Sequence, residues 1–314
     1  MFSYGNARIC YIVMSNEREI SIQKCVIYLF AVLTIFFIIL RILLYFFDIF
    51  PWLKETKDID FKILLEGMNN GLANFYDEVP ISVWPPYYLY FWFFLFFPIK
   101  IIPTDGLIGV YVWDVLRLLL TTLVIRKSPK VFKNKKDLLI FYVFGIVGYS
   151  IDAYYNNVNF LIVFLLFYSF VYLERNQKWV AGILFTLATF KITAILFIPV
   201  LLIVRKLKLK DLVYFLIPFA IICIPYMIFP TYFLQMITNW GYQDVEIQGF
   251  LKIESTIWKA LQPSHLMFIG LMLLIFMENI KNVERKNLYR VILVSIITGY
   301  YVYLTAIVFI LPMF

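Results

Sequence analysis

One histidine, three cysteines and a charged fraction of only 15% in 314 residues exclude several kinds of protein at once. Cys10, Cys25 and Cys223 form no even framework and match no metal-ligand spacing, so neither a disulfide scaffold nor a zinc site is expected. His265 stands alone, which weakens any chemistry built on a histidine nucleophile or acid motif. The first 24 residues carry Arg8, Glu17, Arg18, Glu19 and Lys24 but no apolar core ending in small residues. A cleavable signal peptide is therefore not expected, and the first apolar run serves as an uncleaved insertion signal. No internal repeat, low-complexity segment or linker divides the chain, which reads as a single transmembrane domain over residues 1–314.

What the chain has in abundance is apolar surface. Hydrophobic residues make up 63% of it and its mean hydropathy is +0.84, outside the range of soluble domains. The expectation is an all-α integral membrane protein, a polytopic helical bundle of about 8–11 spans, some short or broken. Its net charge of +8 comes from Lys and Arg in short loops between apolar runs. The positive-inside bias explains that placement, so no nucleic-acid partner is expected.

Residues 26–47 read as a clean span interrupted only by Arg41 near its outer end, where a long side chain snorkels. A first outer loop follows over 48–86. Its stretch 58–86 is a polar island holding Asp58, Asp60, Glu66, Asp77 and Glu78. Within it Phe61, Leu64, Leu65 and Met68 fall at helical spacing, opposite Lys62, Glu66, Asn69 and Asn70, as in a helix lying in the membrane interface. Two apolar runs, 87–102 and 107–125, are separated by a break at 103–106 and lead to the basic loop Arg126 to Lys136. Two full crossings would put that loop on the outer side, against the positive-inside rule. Either one run is broken or re-entrant, or a short extra crossing is hidden.

Residues 138–150 lead outward to the polar stretch from Asp152 to Asn159, and 160–173 return to a short basic loop at 175–178. The run 179–204 has basic loops at both ends, so it needs an even number of crossings in 26 residues. Two half-length helices meeting near Lys191 satisfy that, with an intramembrane lysine at the tip that is a functional candidate. Residues 212–229 cross again, a second outer loop occupies 230–263, and 266–276 and 289–311 are the last apolar runs.

Four features occur in sequence order. They are the acidic Asp58 and Asp60 ahead of Phe61, then Gly71, Asn74, Tyr76 and Asp77, then Trp84 with Pro85 and Pro86, then Asn156, Asn157 and Asn159. A fifth is Ala181 and Gly182 followed by Lys191. Their order resembles the C-type multi-spanning glycosyltransferases that use a polyprenyl-phosphate sugar. The similarity is greatest to the family 87 mannosyltransferases and the first mannosyltransferase of GPI-anchor synthesis, and covers residues 58 to about 204. The resemblance implies transfer of a sugar, with mannose favoured, from a polyprenyl- or dolichyl-phosphate donor to a lipid-linked or glycan acceptor. The active site would lie on the non-cytoplasmic face of a cell or endoplasmic reticulum membrane.

Inverting transfer needs a base for the acceptor hydroxyl and a cation for the departing phosphate. The base is expected at Asp60, with Asp58 second. Lys191 is the candidate for the donor phosphate, with Arg117 and His265 behind it. Arg117 also lies three residues after Asp114, where an intramembrane ion pair is the simpler reading, and His265 equally suits a structural role. Asn74, Tyr76, Asp77, Trp84, Asp152, Asn157 and Asn159 are candidates for sugar or acceptor contacts, although aromatic belts and helix caps use the same residue types. No cofactor is required. Asp58 and Asp60 are the residues that would hold Mg2+ or Mn2+ in a metal-dependent alternative. Expected partners are the lipid-phosphate donor, the acceptor, membrane lipids and, as a further candidate, a small membrane subunit. The competing function is a transporter or flippase of a lipid-linked sugar, which would share the intramembrane charge but has no use for a long acidic outer loop and tends to show paired repeats.

Overall fold

A computed structural model describes residues 4–242 apart from 48–49, 78, 80–85, 87, 102–106, 133–134, 192–193, 196 and 204–205. Trp84, His265 and the last apolar runs lie outside the described residues. Within them the chain is helical throughout: α1 Tyr4–Phe47, α2 Pro51–Thr56, α3 Ile59–Asn69, α4 Trp92–Ile101, α5 Leu107–Lys127 and α6 Lys135–Tyr155. There follow α7 Asn159–Glu174, α8 Lys178–Ala188, α9 Phe197–Ile203, α10 Val213–Ile228 and α11 Pro230–Tyr242. Three stretches, Ile22–Phe47, Ile108–Lys130 and Leu209–Ile228, are long and apolar enough to cross a bilayer. This is an all-α polytopic membrane protein. Apolar all round and buried on most of its surface, α7 packs between α5 and α8; α8 rests on α10, and α1 on α5 and α6.

The length of α4 bears on the parity problem between the polar island and the basic loop. At ten residues it rises only about 15 Å, half the hydrocarbon thickness. Among the described residues the helix of this run is therefore too short to cross by itself, whereas α5 belongs to a stretch long and apolar enough to do so. Two features mark the segment as irregular. Pro98 lies inside the helix, and the backbone just before it is bonded elsewhere in the protein. Leu89 N–H donates to the Phe190 carbonyl at 2.7 Å, and Tyr90 N–H to the Tyr226 hydroxyl at 2.6 Å. Irregular backbone persists at membrane depth only where protein groups satisfy it in this way.

The run 179–204 is likewise split. α8 ends at Ala188, Thr189 to Lys191 turn, and α9 begins at Phe197, the two half-length helices expected around Lys191. They touch through Phe185 and Phe197, ring centroids 6.1 Å apart. The entry to α8 is a helix-ending turn. Asn176, at φ 60°, takes the left-handed position, Asn176 N–H returns to Leu173 O and Gln177 N–H to Tyr172 O, both at 2.9 Å.

One expectation is corrected. Arg41 does not snorkel. It is buried and ion-paired with Asp58 and Asp114 at 2.6 and 2.7 Å, because two carboxylates from other elements face it across α1. The stretch expected to open the second outer loop is helical: residues 230–242 form α11, with Tyr232 and Met236 packed against the core.

Candidate functional site

The two carboxylates of the polar island do not act as a pair. Asp58 precedes α3 in a left-handed conformation, φ 65° and ψ 18°, while Asp60 lies in the first turn of the helix, so their side chains meet different groups. Asp58 is buried. Arg41 Nε and Nη2 donate to its two oxygens at 2.6 and 3.0 Å; Lys57 and Asn156 add further bonds. Burial alone would raise its pKa, but Arg41 and Lys57 outweigh burial and hold the carboxyl below its ordinary range. Burial pulls Lys57 the other way, down to about 8 despite Asp58.

Asp60 is half-buried and carries no ion pair among the described residues. Asn157 Nδ2 donates to its Oδ2 at 2.6 Å. Since Asn157 Oδ1 accepts the Val158 N–H at 2.7 Å, the amide can face Asp60 only with its NH2 side. Burial lifts the Asp60 carboxyl to about 6, against the pull of Lys191 and the Asn157 bond.

Lys191, fully buried at the α8–α9 break, donates to Asn159 Oδ1 at 3.0 Å. Asn159 Nδ2 in turn donates to Asp152 Oδ1 at 3.0 Å. Lys191 lies close enough to Asp60 and Asp152 to act on both electrostatically. The structure thus gathers Asp60, Asp152, Asn157, Asn159 and Lys191 from α3, α6, α7 and the α8–α9 break. The result is a cluster of two carboxylates, two amides and one ammonium, in which burial lifts both carboxyls to about 6 beside a buried cation.

Arg117 is elsewhere engaged. It pairs with Asp114, as the i, i+3 spacing suggests. It also donates to the Asp152 carbonyl at 2.8 Å and to the Asn156 side chain. Only its Nε lacks a partner among the described residues.

Tyr76 and Asp77 belong to a second locus. The Tyr76 hydroxyl donates to Tyr88 O at 2.6 Å and meets the Tyr226 hydroxyl at 2.6 Å. Asn239 Nδ2 of α11 ties the Tyr76 and Pro86 carbonyls together at 2.8 and 2.7 Å. An open cleft of about 580 Å³ runs along Tyr76, Asp77 and the Thr231, Gln235 and Thr238 side of α11. Asn74 is exposed in the turn before it, its carbonyl accepting the Asp77 N–H at 3.0 Å. Phe190 joins the two loci: its carbonyl takes the Leu89 N–H, and its ring lies 5.8 Å from that of Tyr88.

Sequence reasoning missed Arg41, Asn156 and Asn239. A signal for the first was present, since a charge inside a span needs a named partner. Asn156 stands in the quoted Asn156, Asn157 and Asn159 motif, but nothing local marks its bond or that of Asn239, whose partners lie 98 and 163 residues away.

A family model described as glycosyltransferase family 87 matches residues 85–309. No curated protein and no solved structure matches the chain. The matched part contains Asp152, Asn157, Asn159 and Lys191. Asp60 lies before it and joins it through the bond to Asn157. With more than two thirds of its length so matched, and three of its helical stretches long and apolar enough to cross a bilayer, this membrane protein is a glycosyltransferase belonging to family 87.

Proposed function

We propose that the protein transfers a sugar, mannose first among those to test, from a polyprenyl-phosphate donor to a lipid-linked or glycan acceptor, with inversion, on the non-cytoplasmic face. The observation that supports this most is Asp60, a half-buried carboxyl lifted to about 6 and set beside the buried Lys191. A base is most effective when its pKa lies near the working pH. Asp60 takes the proton of the acceptor hydroxyl as that oxygen bonds to the anomeric carbon. The bond from that carbon to the phosphate oxygen breaks, and the polyprenyl phosphate leaves with the electron pair, its charge met by Lys191. Arg117 is spent on Asp114, Asp152 and Asn156, so the phosphate falls to Lys191. Asn157 and Asn159 each retain an amide hydrogen for a sugar hydroxyl, and Asp152 orients Asn159.

No metal is needed for a leaving group that is already ionised. Asp58 and Asp60 do not converge, because Arg41 and Lys57 hold the first and Asn157 holds the second. Turnover in excess EDTA should match turnover without it.

The test is sugar transfer from radiolabelled dolichyl-phosphate mannose by purified protein in detergent, with a crude lipid extract as acceptor. Wild type is compared with Asp60→Asn, which keeps the shape and removes the basicity. Transfer that requires Asp60 supports the assignment. Transfer only from the glucosyl donor keeps the mechanism and changes the sugar, whereas near-normal turnover by Asp60→Asn rejects Asp60 as the base.

A further inference from the structure

Five side chains close a ring of hydrogen bonds beside the Asp60–Asn157 pair. Arg41 Nη1 donates to Asp114 Oδ2 at 2.7 Å, and Asp114 Oδ1 accepts from Arg117 Nη2. Arg117 Nη1 donates to Asn156 Oδ1, and Asn156 Nδ2 donates to Asp58 Oδ1 at 2.5 Å. Asp58 Oδ2 completes the circuit by accepting from Arg41 Nε at 2.6 Å. All five residues are buried. Two guanidinium and two carboxylate groups make the ring itself neutral, and its members come from α1, the turn before α3, α5 and the turn after α6.

The ring holds the two backbone segments that bear the site. Asn156 immediately precedes Asn157, and Asp58 stands two residues before Asp60. Both are non-glycine residues at positive φ, 53° and 65°, a conformation that persists only where the surroundings over-determine it. A backbone bond reinforces the join, Asp58 N–H to Tyr154 O at 3.1 Å. Cohesion alone does not explain the arrangement, because buried ion pairs are commonly no more stabilising than apolar side chains of the same shape. A closed ring, by contrast, sets the distance and angle between its members.

We propose that this ring is a positioning device. Arg41 and Asn156 act through Asp58 and through the backbone of Asn157 to keep the Asp60 carboxylate in hydrogen-bond contact with the Asn157 amide. Its effect on turnover rests on Asp60 being the base; its effect on the geometry of Asp60 does not.

Two variants open the ring. Arg41→Lys keeps the charge, but one ammonium cannot span both oxygens of Asp58 and reach Asp114. Asn156→Gly removes the neutral link, and glycine accepts the left-handed backbone, so this variant is expected to fold. The groups facing Asp60 are Lys191 from the α8–α9 break, Asp152 and Tyr155 from α6, and Asn157. The variants leave all of them in the chain. Difference infrared spectroscopy of the purified protein follows the Asp60 carboxyl directly, its band identified by loss in Asp60→Asn. In both variants the titration midpoint should rise by roughly one pH unit, since the charged form loses the Asn157 bond. The acid limb of kcat/KM should move with it, and adding Asn157→Ala should produce no further shift.

An unmoved midpoint in both variants, whatever happens to their thermal stability, overturns the proposal. So does a shift that adds to that of Asn157→Ala, since the ring would then act by another route. Failure of the base assignment looks different: Asp60→Asn would retain turnover while the infrared midpoint still moved in the ring variants.

Discussion

Gly182 offers the sharpest quantitative test of the packing that delivers Lys191 to the site. A Cβ at this position would lie 1.8 Å from the Tyr214 carbonyl oxygen and 2.7 Å from its carbon, on the backbone of α10. Ordinary contact begins at 3.4 Å, so Gly182→Ala obliges α8 and α10 to part by about 1.6 Å, the difference between the two distances. Backbone atoms cannot rotate aside as a side chain would. Close helix approach over a small residue is a principal source of association in a bilayer, where lipid tails remove the usual hydrophobic drive. Separation also weakens the contacts of Phe185 with Phe215, ring centroids 5.5 Å apart, and of Trp179 with Tyr214 at 5.1 Å. Dispersion falls by a quarter to a half for a gap of roughly 0.5–1 Å. The expected loss is about 3 kcal/mol, the upper end for overpacking. Thermal unfolding in detergent would measure it, with Ile183→Ala as control, because Ile183 faces outward and is 50% exposed. Gly182→Ala should melt several degrees below the control and lose transfer, since α8 ends three residues before Lys191. If the two variants melt within about a degree of each other, the α8–α10 contact does not hold the site as argued.

Two further outcomes follow from the electrostatics of the cluster. On the proposed mechanism Asp60 acts as a base only when ionised, and burial lifts its carboxyl to about 6; kcat/KM should therefore fall as pH drops through that value, and an acid limb at an ordinary carboxyl pKa would refute the buried setting. Lys191→Met removes the charge that meets the phosphate and should lower kcat by roughly 10²–10³. The same change removes a positive charge that favours ionised Asp60, so the acid limb should shift upward, whereas a lysine that merely anchors a helix end would leave the limb in place.

The parts of the fold legible in sequence were those set by neighbours along the chain. Phe61, Leu64 and Met68 recur at helical spacing, and these three are buried when α3 forms. Asp114 and Arg117 face each other one turn apart and are paired. The break near Lys191 followed from basic residues on both sides of a run too short for two full helices, and α8 and α9 meet that requirement. Each of these depends on helix periodicity or on the cost of charge in lipid, and both act over a few residues.

Other features required the tertiary structure. The run 87–102 is as apolar as any span, yet α4 is short because Phe190, in the turn after α8, and Tyr226 of α10 satisfy its preceding backbone. Arg41 looks like a snorkelling residue until Asp58 and Asp114, 17 and 73 positions away, are placed beside it. Asp58 and Asp60 look equivalent in sequence. A left-handed turn and a closed ring of bonds commit the first to structure and leave the second beside Asn157 and Lys191. The sequence by itself determined a membrane-spanning helical chain with polar residues gathered between its apolar runs, because hydropathy and period are local properties. Which carboxylate is held in ion pairs and which is not was decided only by the tertiary structure, because that depends on charges that meet across the bundle.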